Sequence, residues 1–369
     1  MQTSSPSEQS EIKALTGLRG IAAIGVVLGH YQVLGFLNPW FQWHNAAVDL
    51  FFMLSGFTLS YVYLCKQPQG VKHYFLARVA RILPLSILTT AIFALAFVVP
   101  DPAAFSQNPD RIYIDFLKQA VGINAWPVIG DGRHWNTPAW SISVEMFLYF
   151  LIFPLLAYLK PTPSNTLILI ALIILPIASI QIYLKYFDWL YITALQPGNY
   201  STANKLAPTL RGVMDFLAGY IVYCCYQNKG LLWDFLKNKS FAITLIIFFI
   251  LFLSTKGVIS NHYILLAFPV LILALTENQG IVQRFLNSPV MHTMGLWSYS
   301  IYLWQLPIKM ALERVFRTLP FNANYPDYVI HAVTLFVLLV LSGISYRYFE
   351  APVRTFIKTR FGGQTPPGV

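Results

Sequence analysis

The chain of 369 residues is 56% hydrophobic and 11% charged, with a mean hydropathy of +0.56 and a formal net charge of +10. A soluble domain carries about 25% charged residues, so this composition excludes a water-soluble globular protein. The basic residues fall between apolar runs, which reads as membrane orientation and leaves nucleic acid out of the expected partners.

In chain order, residues 1–13 form a polar N-terminal tail, residues 14–358 a single transmembrane domain, and residues 359–369 a C-terminal tail. The first apolar run is full length, so no cleavable signal peptide is expected. Apolar runs of roughly 18–22 residues have the length to span about 30 Å of hydrocarbon. Ten such helices are predicted, near 17–37, 46–65, 82–100, 138–159, 165–184, 208–226, 240–256, 261–276, 293–311 and 328–348, giving an all-α polytopic bundle. The longest connections, about 101–137 and 185–207, are rich in Pro, Asn and aromatic residues. With the N-terminus inside, 15 of the 25 Lys and Arg residues fall on the inner face, so both termini are expected to be cytoplasmic. Cys65, Cys224 and Cys225 match no metal or redox spacing.

The first predicted span carries two costly polar groups, Arg19 and His30. Eleven residues at 100° each bring both to one helix face, about 16 Å apart along the axis. Arg19 is expected at the cytoplasmic mouth, either as a snorkelling anchor or as an anion ligand. His30 is expected deep in the outer half, either as a packing hydrogen bond or as a base. Gly25 and Gly29 form a small-xxx-small pair on the same helix.

Asp49 lies near the outer end of the second span, where it either orients His30 or caps the helix. His44 precedes it in the spacing His-x4-Asp. That spacing is also used by glycerolipid acyltransferases, but on an α/β domain that this pattern of helices lacks. The loop before the third span brings Lys66, Lys72, Arg78 and Arg81, and the two arginines share a face at i, i+3. Guanidinium forks suit phosphate oxygens; the competing reading is a basic loop against anionic lipid. In the fourth span Ser141 and Glu145 share a face at i, i+4. An intramembrane glutamate is a functional candidate by default, with a buried ion pair to Arg211 as the alternative. Trp140 and Tyr149 suit the interface belt or packing. Arg211 with Asp215, and Glu350 with Arg347 and Arg354, are spaced to pair within their own helices.

Polar groups therefore fall into a basic inner layer and an acid–base outer layer of His30, Asp49 and Glu145. That arrangement suits an elongated ligand with a phosphorylated head and a reactive end in the membrane. The stretches LRGIAAIGVVLGH, VDLFFMLSGF, RVAR, PAWSISVEMFLY, SYSIYLWQLP and YRYFEAPVR occur in this order between about residues 12 and 356. Together they resemble the acyltransferase-3 family of integral membrane O-acyltransferases.

The resemblance implies a ten-helix bundle in a bacterial inner membrane that uses an acyl-CoA, usually acetyl-CoA, and no metal. The implied acceptor is a hydroxyl of a glycan, glycolipid or similar sugar-containing molecule. It also implies roles: Arg19, Arg78 and Arg81 for the CoA phosphates, and His30, Asp49 and Glu145 for catalysis. Ser141, Trp140 and Gln305 would serve the acceptor. Gln305 stands where the family commonly has histidine after the Tyr-Leu-Trp motif, which weakens a proton-transfer role there but leaves an acceptor-binding one. Some members pass the acyl group to an appended SGNH-type domain; with the last residue at Val369, transfer is expected to be completed by this chain or with a partner. A transporter or flippase of a small or lipid-linked substrate is the rival, since intramembrane charges also build substrate paths. The inverted repeats and paired broken helices of many transporters are not visible in the sequence.

Overall fold

The computed structural model describes residues 11–32, 35–64, 70–102, 112–129, 135–136, 138–186, 202–277, 279–318 and 327–361. Cys65, Lys66, Asn322, Asn324, residues 1–10 of the N-terminal tail and residues 362–369 of the C-terminal tail lie outside the described residues. Among the described residues every regular element is helical. α1 is Lys13–Tyr31, α2 His44–Leu64, α3 Val71–Phe93 and α4 Ile112–Ala120. α5 runs over Ala139–Leu159 through a π-helical turn, followed by α6, Asn165–Tyr186, and α7, Thr202–Asn228. α8 is Leu231–Leu236, α9 Ser240–Thr255, α10 Phe268–Ala274 and α11 Ile281–Leu286. α12 is Pro289–Thr318, α13 Asp327–Ser345 and α14 Ala351–Phe361, the last two joined by a π-helical turn.

Six segments among the described residues are long and apolar enough to cross a membrane: Lys13–Tyr31, Leu37–Leu64, Val71–Val98, Ala139–Leu159, Asn165–Lys185 and Asp327–Phe361. They coincide with six of the ten predicted spans. The other four differ for identifiable reasons. α7 and α12 are long enough, at 27 and 30 residues, but are interrupted by polar side chains such as Arg211, Asp215 and Gln305. The remaining two are short, 16 residues in α9 and a 3₁₀ segment running into α10 over Asn261–Ala274.

The first span ends earlier than its apolar run suggests. Gln32 adopts a left-handed backbone (φ 52°) that closes α1, and Gly35–Phe41, which contains Pro39, continues as a 3₁₀ helix. His30 is therefore the penultimate residue of α1 and is exposed, at the helix end and not deep within the span.

α1 packs along α12 and against α2; α2 packs along α7, and α7 along α6. Backbones touch where two glycines meet. A Cβ on Gly219 would sit 1.9 Å from the Met53 carbonyl oxygen, and one on Gly56 2.1 Å from that of Phe216. Gly20 and Gly295 bring α1 and α12 together in the same way, with 2.8 Å between a Gly20 Cβ and the Gly295 nitrogen. Lipid tails are as apolar as leucine, so close backbone packing replaces the hydrophobic drive that holds soluble helices together. Phe52, Met53, Leu54, Phe57 and Phe216 fill the interior between α2 and α7. Ile173, Ile174, Phe248 and Phe249 are exposed on α6 and α9, as a lipid-facing surface requires.

Candidate active site

The end of the bundle at which α1 begins holds a cavity of about 250 Å³ whose wall includes Arg19 from α1, Arg78 and Arg81 from α3, and Arg354 from α14. The helical spacing of Arg78 and Arg81 puts both on the α3 face that meets it. Arg19 donates through Nη2 to the Thr58 hydroxyl at 2.9 Å, with the Leu54 carbonyl at 3.5 Å. Thr58 in turn donates to that same carbonyl at 2.6 Å, so α2 presents a fixed acceptor to the guanidinium. Arg78 reaches the Tyr63 hydroxyl at 3.3 Å and lies 5.6 Å from the ring centres of both Tyr63 and Tyr149. Its Nε is buried and has no hydrogen-bond partner.

Two glutamates also line this cavity, but each is engaged elsewhere. Glu350 accepts from Ser300 at 2.9 Å, and not from Arg347 or Arg354 as its spacing suggested. Glu11 is held by Thr16 and lies 3.3 Å from His292. The cavity thus offers guanidinium donors that no carboxylate occupies.

A smaller void of about 50 Å³ shares Arg19 and Arg81 with this cavity and reaches Ser55, Ser141, Glu145 and Tyr302. Glu145 accepts from Ser55 at 3.0 Å and from the Tyr149 hydroxyl. It pairs with neither Arg211 nor His30. Tyr149 sits one turn after Glu145 on the same face, a spacing visible in the sequence but first assigned to packing. Ser55, from α2, is the second ligand of this carboxylate. Ser141 lies 2.7 Å from the Tyr302 hydroxyl.

The outer layer does not form one cluster. Both oxygens of the fully buried Asp49 are held by Arg211, Nε at 2.5 Å and Nη2 at 2.7 Å, and Arg211 also donates to the Asn45 carbonyl at 2.8 Å. The pairing expected between Asp49 and His30 is therefore replaced by a bidentate ion pair across α2 and α7. A fork of two parallel N–H···O bonds is the strongest arrangement available to a buried carboxylate. Asp215, expected to pair with Arg211, accepts instead from Ser179 at 3.0 Å. Trp140 belongs to this region: it lies edge-on to Phe52 and 5.9 Å from the Arg211 guanidinium, and lines neither cavity.

His30 meets different neighbours. Its Nδ1 is 3.0 Å from Gln305 Oε1, and its ring centre is 5.0 Å from that of His44, edge-on. His44 points its own Nδ1 to the Phe41 carbonyl at 3.2 Å, so His44 and Asp49 do not form a dyad. Gly29 makes room for His44 and Gly25 for Trp43, with a Cβ at either position falling 2.5 or 2.7 Å from the ring. The small-xxx-small pair of α1 thus receives side chains from the start of α2 and the turn before it. Among the described residues no three His, Cys, Asp or Glu side chains converge as a metal-binding group.

Comparison with known proteins gives a consistent picture. A family model described as an acyltransferase domain, that of the acyltransferase-3 family, matches residues 12–347. The chain is 22% identical over 362 residues to the O-acetyltransferase OatA of Staphylococcus aureus strain NCTC 8325, covering 93% of this chain and 57% of that protein. It is also 22% identical over 360 residues to the putative O-acetyltransferase SACOL0978 of strain COL, again covering 93% and 57%. The chain therefore spans a little over half the length of the curated relatives it matches. No solved structure matches it. With a family match across nearly the whole chain, on a bundle that includes six segments long and apolar enough to cross a membrane, this chain belongs to the acyltransferase-3 family.

Proposed function

We propose that the protein is a membrane O-acyltransferase that moves an acyl group, in the first instance acetyl, from the thioester of acyl-CoA to a hydroxyl of a glycan, glycolipid or similar sugar-containing acceptor. One observation carries this reading: four guanidinium groups from three helices, Arg19, Arg78, Arg81 and Arg354, line one cavity, and the exposed imidazole of His30 stands three turns beyond Arg19 along the same face of α1. The printed names of the relatives, O-acetyltransferases, support the transferred group.

In this reading Arg19, Arg78 and Arg81 bind the phosphates of the donor, and the unpartnered Nε of Arg78 is a free donor for an anionic oxygen. The void lined by Ser55, Ser141 and Glu145 marks the route toward the outer end; at about 50 Å³ it must widen to admit a pantetheine arm. His30 takes the proton of the acceptor hydroxyl as its oxygen attacks the thioester carbonyl. The new C–O bond forms, the C–S bond breaks, and the thiolate released is protonated to the free thiol. Such general-base assistance contributes about 10²–10⁴-fold. Glu145, Ser141 and Tyr302 are spaced to bind hydroxyls along the route. Asp49 contributes by locking α2 to α7 through Arg211.

The reading extends to topology. α7 and α12 are about 40 and 45 Å long at 1.5 Å per residue, and with α9 and the Asn261–Ala274 segment they complete ten crossings, both termini cytoplasmic, in a bacterial inner membrane. The test is mass spectrometry of surface glycans and glycolipids from cells expressing the wild-type chain or the His30→Ala variant, paired with CoA release by the purified protein. An acyl mass increment that depends on His30 is expected. Glycans unchanged by the chain, together with intact thioester, would overturn the proposal in favour of transport.

A further inference from the structure

The two carboxylates expected to serve His30, Asp49 and Glu145, are committed elsewhere, and the residue after the Tyr-Leu-Trp stretch meets the imidazole instead. Gln305 is almost fully buried, and both ends of its amide are used. Its Nε2 donates to the Tyr302 carbonyl at 3.0 Å. A carbonyl oxygen only accepts, so the NH₂ group must face it, and this fixes which end of the amide points the other way. Oε1 therefore faces His30 Nδ1 at 3.0 Å. An amide oxygen only accepts as well, so Nδ1 must carry the hydrogen and Nε2 must hold the lone pair.

The surrounding backbone keeps this amide in place. Pro307, inside α12, has no N–H to offer the Leu303 carbonyl four residues back. That carbonyl is taken instead by Asn136 Nδ2 at 3.0 Å. The Gln305 carbonyl accepts from the Tyr31 hydroxyl at 2.6 Å, which ties α12 to the residue after His30. Lys309 Nζ donates to the His30 carbonyl at 2.9 Å, adding a third tie between the two helices. His30 is exposed as a residue, and Nδ1 is the ring nitrogen that this network engages.

We propose that Gln305 is the positioning residue of the base, holding His30 as the Nδ1–H tautomer so that Nε2 is the atom that accepts the hydroxyl proton. This rests on the assignment of His30 as the base. It gives Gln305 a role on the imidazole in place of the acceptor-binding role expected from its motif. A neutral amide supplies orientation without a counter-charge, unlike the carboxylate that commonly orients a catalytic histidine.

The test uses the full chain in lipid bilayers with ¹⁵N-labelled histidine, His30 being identified by the signals lost in His30→Ala. Wild type is expected to show Nδ1 protonated and Nε2 unprotonated. Gln305→Met keeps the volume but not the acceptor; it is expected to release the tautomer toward Nε2–H and lower kcat about 10- to 100-fold, on the scale of lost ligand-orienting contacts, with the donor KM unchanged. Gln305→Glu retains an oxygen at Nδ1 and is expected to keep the wild-type tautomer and recover part of kcat. An unchanged tautomer in Gln305→Met overturns the proposal, as does a raised KM for the acceptor with kcat intact, since that is the mark of substrate binding. If no variant or wild type transfers an acyl group, the function proposed above fails, while the tautomer readout still decides the role of Gln305.

Discussion

The arginine-lined cavity and the His30 end of the bundle treat charge in opposite ways. Around the arginine-lined cavity, Arg19 is held by a hydroxyl and a carbonyl and Arg78 by a hydroxyl and two aromatic faces, while Arg81 lines the wall; among the described residues no carboxylate is in salt-bridge contact with them. At the His30 end, Arg211 and Asp49 satisfy each other in a closed fork, and the functional candidate His30 is held by a neutral amide. A charge left without a counter-charge in a low-dielectric region is costly, and the cost is recovered when a ligand of opposite sign arrives. A charge already matched has little left to offer a ligand. The difference separates the residues expected to bind substrate from those expected to hold the bundle together, and each prediction below presses on that division.

The largest effect is expected at His30. His30→Ala should lower kcat about 10²–10⁴-fold with the thermal midpoint in detergent close to wild type; a variant that still turns over normally removes the base. Asp49→Leu should cost roughly 3–5 kcal/mol of stability by leaving the buried Arg211 without its bidentate carboxylate, read as lost monodispersity or a lower melting temperature. Asp49→Leu combined with Arg211→Leu should lose less than that single change. Were Asp49→Leu to melt like wild type yet be inactive, Asp49 would move to the catalytic side of the comparison.

At the arginine-lined cavity the effect should appear in binding. Arg78→Gln is expected to weaken the donor by about 1.5–3 kcal/mol, the range for hydrogen bonds to charged groups, seen as a raised acyl-CoA KM at similar kcat. A fall in kcat alone would mean that the arginine shapes the route and does not grip the phosphates. Smallest is Thr58→Val, which removes the acceptor that aims Arg19. About 0.5–1.5 kcal/mol is expected, in the donor KM and not in the melting temperature.

The layered arrangement was partly legible in the chain. Arg78 and Arg81 at i, i+3, and Arg19 at the start of an apolar run, reach the same cavity because helical periodicity fixes which face each occupies. The same periodicity placed Arg19 and His30 on one side of α1. It failed for His30 in depth, because the left-handed Gln32 ends the helix while the sequence is still apolar. It also failed for the carboxylates. Asp49 lies close to His30 in sequence and shares its end of the bundle, yet its partner is Arg211, 162 residues away. Glu145 was assigned to the acid–base layer, but its ligands Ser55 and Tyr149 hold it beside the arginines. Gln305 was visible as a departure from a motif; that it faces His30 across 275 residues was not.

Composition and apolar run length by themselves determined that this is a helical membrane protein, because hydrocarbon forces each spanning segment to satisfy its backbone within a helix. Spacing determined which polar groups share a face. Only the tertiary structure decided which polar group meets which. Those pairings depend on where backbones touch, as at Gly56 with Gly219 and Gly20 with Gly295, and a contact between two helices is a property of neither sequence segment alone.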